Sequence, residues 1–163
     1  MSVLKNLNLE QNGYLLTQFP LDKCVSEYVL KRQWNELDRH LLEISKPGGS
    51  LYSFLQDYLD FNFLEHIIAI RSAPGDDEGI WHDDGSRLLG FSLSLNIEPS
   101  SIAGGELRFK AKDSRDMERF SPLPFGQIVL FLTGVFGYEH QVGAVTQGER
   151  IVIAGWCSSI ETK

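Results

Sequence analysis

The chain has 163 residues, 42% hydrophobic and 23% charged, so one domain with a buried core is expected and wholesale disorder is not. Fifteen Lys and Arg against 22 Asp and Glu leave a formal charge of −7, which repels a phosphate backbone and argues against nucleic acid as a partner. Cys24 and Cys157 form no CxxC pair, which argues against a disulfide framework or a cysteine zinc site and points to free thiols in a cytoplasmic setting.

The first twenty residues include Lys5 and Glu10 and lack the unbroken apolar run of a secretory signal. From Leu21 to Ile44, apolar side chains at Val25, Tyr28, Val29, Leu37, Leu41 and Ile44 predict one helical face. Pro47-Gly48-Gly49 stops it, and Ser50 is placed to cap a second short helix carrying Leu51, Phe54, Leu55 and Tyr58.

From Phe63 onward, short apolar or alternating segments are separated by Gly, Pro and Asp clusters, the pattern of strands. Candidate strands are Leu64 to Arg71, Ile80 to Asp84, Leu88 to Ile97, Glu106 to Lys110, Gln127 to Leu132, Glu139 to Val142 and Arg150 to Trp156. The uncharged stretch Phe120 to Tyr138 approaches the length of a membrane span, but its prolines and glycines confine the apolar centre to Ile128 to Leu132, a buried strand. No membrane association is expected. The fold class is mainly β with N-terminal helices: residues 1–62 as mostly helical support and 63–160 as a double-sheet jelly roll braced on one face by the helices, within a single domain over 1–163.

The densest chemical signal is Trp81-His82-Asp83-Asp84-Gly85. Residues i and i+2 of a strand share a face, so His82 and Asp84 converge while Asp83 faces away. Read alone, this also fits a hydrogen-bonded structural pair. His140 is followed ten positions later by Arg150, and Gly143 and Gly148 between them permit a turn, which predicts His140 and Arg150 on strands lying side by side. Arg150, Val152, Ala154 and Trp156 then share one face, and a guanidinium there needs an anion, which read alone fits an ion pair with one of the chain's 22 acids. Two His and one carboxylate form the facial set of non-haem Fe(II) oxygenases, with three positions left open. Two could take the keto-acid end of 2-oxoglutarate and the third O2, while Arg150 pairs the far carboxylate.

In order and spacing, Arg71-Ser-Ala-Pro-Gly75, His82-x-Asp84, Ser94-Leu-Asn96, Gly104-Gly-Glu-Leu107, Pro124-Phe-Gly126, His140 and Arg150 through Trp156 make the chain, over roughly residues 63–160, similar to the Fe(II)/2-oxoglutarate dioxygenase superfamily. The resemblance is to its prolyl 4-hydroxylase-like branch. It implies a double-stranded β-helix with Fe(II) held by His82, Asp84 and His140, the 2-oxoglutarate carboxylate held by Arg150, and O2 as the oxidant, with ascorbate as a candidate reductant. Ser94 falls where related hydroxylases place a tyrosine that helps hold that carboxylate. Arg87 and Trp156 match positions lining the substrate side of the hypoxia-factor prolyl hydroxylases.

The activity implied is hydroxylation of an unactivated C–H bond, with release of succinate and CO2, on a peptide or protein side chain or a small amino-acid-like molecule. The rival reading is a non-catalytic, cupin-like metal-binding module, which has no reason to keep a buried Arg150. His66 and His40 are expected to be structural, Cys157 a small core residue, and Gly104-Gly105 a strand-entry turn. If Asp76, Asp77, Glu78 and Asp83 ring the mouth, they would attract a cationic substrate; the competing reading is a solvated turn.

Overall fold

The computed structural model describes residues 3–161. The first third holds α1 (Leu7–Asn12), β1 (Tyr14–Gln18), α2 (Lys23–Leu30), α3 (Trp34–Ser45) and α4 (Ser50–Gln56). It is followed by β2 (Phe63–Ser72), β3 (Leu89–Ser94), β4 (Ala103–Gly104), β5 (Leu107–Ala111), β6 (Glu118–Phe120), β7 (Gln127–Leu132), β8 (Tyr138–Val142), β9 (Val145–Gln147) and β10 (Glu149–Ser158). Strands β1, β7, β3, β10 and β2, in that spatial order, make an antiparallel five-stranded sheet. Strands β6, β5 and β8 make a second, three-stranded sheet, and β4 pairs with β9. This is a jelly roll with helices on one face.

Alternation along the strands explains the layering. In β7, Ile128, Leu130 and Leu132 join the helical residues Leu9, Val25, Leu37, Leu41, Leu51 and Leu55 in one buried cluster. Val129 and Phe131 point the other way, onto Leu107 and Phe109 of the second sheet. A strand buried on both faces reads as an unbroken apolar run, which is why Gln127 to Leu132 was visible without alternation. Fully buried Leu130 illustrates the strength of this packing: truncating such a leucine to alanine costs about 2–5 kcal/mol.

Two expectations are corrected, and one strand is added. The helical face over Leu21 to Ile44 is broken into α2 and α3 by Arg32, which adopts the left-handed region at φ 53° without being glycine. There the backbone closes through Arg32 N to Val29 O and Gln33 N to Tyr28 O, and the Arg32 guanidinium is anchored by Glu149 at 2.8 Å. Ser50 is the first helical residue of α4 rather than its cap, a position taken by Gly49. Strand β1 was not anticipated, because its edge position beside β7 leaves only a short, half-exposed segment with little periodicity. Among the described residues, no helix is long and apolar enough to cross a membrane.

Candidate active site

Ile80 to Asp84 is a loop, not a strand. Its ladder is a single antiparallel bridge between His82 and His140 of β8. Gly79 begins the loop with its N–H on Val142 O at 2.9 Å, and a side chain there would meet that same carbonyl. Gln141 Nε2 donates to Gly79 O at 2.7 Å, Asp83 pairs with Lys112, and Lys110 Nζ lies 4.7 Å over the Trp81 ring. Backbone and side-chain ties therefore hold the loop against the second sheet.

These ties bring His82, Asp84 and His140 together. His82 Nε2 lies 3.5 Å from Asp84 Oδ1, and His140 Nε2 lies 3.5 Å from Asp84 Oδ2. One ligand-capable atom from each of the three falls within 4.8 Å of the others. His82 Nδ1 sits 2.9 Å from Ile80 O; assigned as the donor, it leaves Nε2 as the lone pair facing Asp84. Burial pushes the pKa of His140 down to about 4, outweighing the Asp84 carboxylate, so its ring is neutral at neutral pH and has a lone pair to offer.

Arg150 is 5% exposed, and its Nε has no hydrogen-bond partner. Among the described residues it forms no ion pair. Burial, with Arg71 nearby, pushes its pKa down to about 10. A Cβ on Gly105 would lie 2.9 Å from the Arg150 Cδ, so the missing side chain makes room for the arginine stem. A cavity of about 230 Å3 is lined by His82, His140 and Arg150 together with Phe131, Val152, Ala154 and Trp156. Arg150 also borders a smaller, more polar recess with Ser92, Ser94, Ser121 and Leu123.

The model of the 2OG-Fe(II) oxygenase superfamily matches residues 56–158. The chain belongs to the 2OG-Fe(II) oxygenase superfamily. It is 35% identical over 101 residues to a PKHD-type hydroxylase of Maricaulis maris (strain MCS10), covering 60% of this chain and 43% of that protein. A PKHD-type hydroxylase of Prochlorococcus marinus (strain MIT 9313) is 36% identical over 102 residues, covering 59% and 42%. The chain thus spans less than half the length of these curated relatives. Its fold is shared with a Pseudomonas putida prolyl-4-hydroxylase at a TM-score of 0.65 and 19% identity, covering 94% of this chain and 92% of that one. It is also shared with a Trichoplax adhaerens prolyl hydroxylase solved with a hypoxia inducible factor peptide, at 0.61 and 17%, covering 93% and 86%.

The residues present fit the superfamily's metal and cosubstrate. Two imidazoles and one carboxylate suit Fe(II), and a buried guanidinium without an anion suits the far carboxylate of 2-oxoglutarate. Two sequence expectations look different in three dimensions. His140 and Arg150 are not on adjacent strands: β8 belongs to the three-stranded sheet and β10 to the five-stranded one, so they line the cavity from opposite sheets. The segment between them forms β9 instead of a hairpin turn. The Ser94 hydroxyl donates to Leu123 O at 2.5 Å and accepts from Asn96 N and Nδ2, so its one proton is engaged. The acidic loop is largely neutralised: Asp76 pairs with Arg71, Glu78 with Arg108 and Asp83 with Lys112.

Arg87 is held by Glu65 and lies 4.7 Å over the Trp156 ring. His66 pairs with Asp38 and His40 with Asp22, both away from the cavity. Cys157 is fully buried, which pushes its thiol pKa well up. Sequence reading did not single out Ser92 or Thr133, and it named Asn96 and Gly105 only within motifs, without the contacts the structure gives them. Asn96 Oδ1 accepts from Ile151 N at 2.8 Å beside Arg150, and Thr133 contacts Asp84 from 49 positions away, a distance that leaves no local signal.

Proposed function

We propose that this chain is an Fe(II)- and 2-oxoglutarate-dependent dioxygenase that hydroxylates an unactivated C–H bond and releases succinate and CO2. The observation that carries the reading is Arg150: a buried, unpaired cation lining the same cavity as His82 and His140. Leaving such a charge without an anion costs stability, and a ligand carboxylate removes that cost. His82, Asp84 and His140 would hold the iron, which when bound supplies oxygen activation coupled to decarboxylation of 2-oxoglutarate. The chain's own work is orientation and exclusion of water. Arg150 would grip the far carboxylate, Ser92 offers a hydroxyl with no other hydrogen bond among the described residues, and Ser94 shapes the recess. Phe131, Val152 and Ala154 keep the walls apolar.

Arg87 and Trp156 would border the substrate side. The peptide seen with the Trichoplax prolyl hydroxylase supports a peptide or protein side chain as substrate, with a small amino-acid-like molecule as the alternative. The net charge of −7 disfavours nucleic acid. The free Cys24 and Cys157 fit a cytoplasmic, reducing compartment. We read 63–160 as the catalytic core and 1–62 as its support. The test is succinate release from 2-oxoglutarate with Fe(II) and O2, with and without candidate peptides. Metal binding without any succinate would favour the cupin-like binding module.

A further inference from the structure

Asp84 makes a second set of contacts beyond the two histidines. Its Oδ2 accepts hydrogen bonds from Trp156 Nε1 at 2.9 Å and Thr133 Oγ1 at 3.2 Å, while Thr133 Oγ1 accepts from Asp84 N at 3.0 Å. Oδ1 receives neither donor. Two donors on one carboxylate oxygen engage its lone pairs and leave the other oxygen as the better metal ligand. Trp156 is itself restrained: Arg87 stacks over its ring, and Glu65 holds Arg87 through Nε at 2.9 Å and Nη2 at 3.2 Å. Thr133 is fully buried just after β7, so it presents its hydroxyl from a fixed backbone.

We propose that Trp156 and Thr133 are positioning residues that commit Asp84 to holding the metal through Oδ1 alone. The inference rests on Asp84 being a metal ligand, as proposed above. A carboxylate binding through one oxygen, beside two imidazoles, leaves three positions of an octahedral ion open; binding through both oxygens would remove one of them. A keto acid chelating through two atoms and O2 together need all three. Arg150 and Trp156 lie on the same face of β10, so one strand aligns the cosubstrate's partner and the donor that orients the metal ligand.

The experiment measures Mn(II) affinity by calorimetry and the visible spectrum of bound Co(II), which reports coordination number, with thermal unfolding of the metal-free protein as the folding control. Trp156→Phe keeps a ring beneath Arg87 and removes the N–H; Thr133→Val keeps the shape and removes the O–H; Thr133→Ser restores the hydroxyl. The expected result is a loss of about 10- to 100-fold in Mn(II) affinity for the Phe and Val variants, with an altered Co(II) spectrum and recovery in the Ser variant. If the Phe variant fails to fold, the Val and Ser pair carries the same comparison. Wild-type affinity and an unchanged spectrum in the folded variants would overturn the proposal. Asp84→Ala separates the two readings: retained Mn(II) binding there overturns the metal site itself, whereas its loss beside unaffected Phe and Val variants overturns only the positioning role.

Discussion

His82 and His140 exchange both backbone hydrogen bonds, at 3.1 and 2.9 Å, and their rings lie 4.3 Å apart. The pairing that brings the two imidazoles together is thus a main-chain feature. Removing either side chain leaves the bridge in place, so His82→Ala is expected to fold with a stability change of about 0.5 kcal/mol or less. It, Asp84→Ala and His140→Ala should each lose Mn(II) binding, while His66→Ala should keep it. In the wild type, metal at 100 times its dissociation constant should add about 2.7 kcal/mol of stability, read as a rise in Tm that the three variants lack.

Arg150→Leu should have effects of opposite sign on stability and on binding. In the metal-free protein the change removes a buried, unpaired cation, so the variant is expected to be at least as stable as the wild type, by up to a few kcal/mol. Binding of 2-oxoglutarate should weaken by about 2–5 kcal/mol, with Mn(II) affinity retained. Urea unfolding and calorimetry measure the two effects separately. A destabilised variant with normal 2-oxoglutarate affinity would assign Arg150 to a structural role.

Asp76 ties the loop before His82 and Asp84 to β9. Its carboxyl is held below the usual carboxylate range, chiefly by Val145 N–H at 2.7 Å and then by Arg71 at 3.2 Å. A group with a lowered folded pKa stabilises the fold above its ordinary pKa, and that contribution disappears as pH falls through the lowered value. Asp76→Asn should therefore be less stable than wild type at about pH 7, and the gap should close as both are unfolded toward about pH 2. A gap independent of pH would mean that the charge contributes nothing.

Gly155 and Phe91 are cross-strand partners between β10 and β3. A Cβ at 155 would run into the Phe91 ring and come 2.6 Å from Glu65 O. Gly155→Ala should destabilise the protein by about 1–3 kcal/mol through overpacking, and by less in a Phe91→Leu background. Chemical denaturation of the four proteins in that cycle measures the coupling; additive effects would place the strain elsewhere.

The sequence by itself determined the residue types and their order along the chain. His82-x-Asp84, His140 and Arg150 stood out because their chemistry is rare at such positions, and β7 and β10 were legible because strands buried between layers read as apolar runs. Helices before strands followed from a change in periodicity at Phe63. The tertiary structure decided how these parts meet. It put His140 and Arg150 on opposite sheets, since the segment joining them crosses between layers. It turned Ile80 to Asp84 into a loop, because one bridge to β8 and side-chain ties replace a ladder there. Glu78 and Asp83 became partners of Arg108 and Lys112, basic residues about thirty positions away that no local window contains, while Asp76 paired with Arg71 at the end of β2. Thr133 and Trp156 reached Asp84 only through packing, 49 and 72 positions along the chain. Periodicity and composition act over a few residues, whereas hydrogen bonds, burial and charge pairing depend on which distant residues the fold makes neighbours.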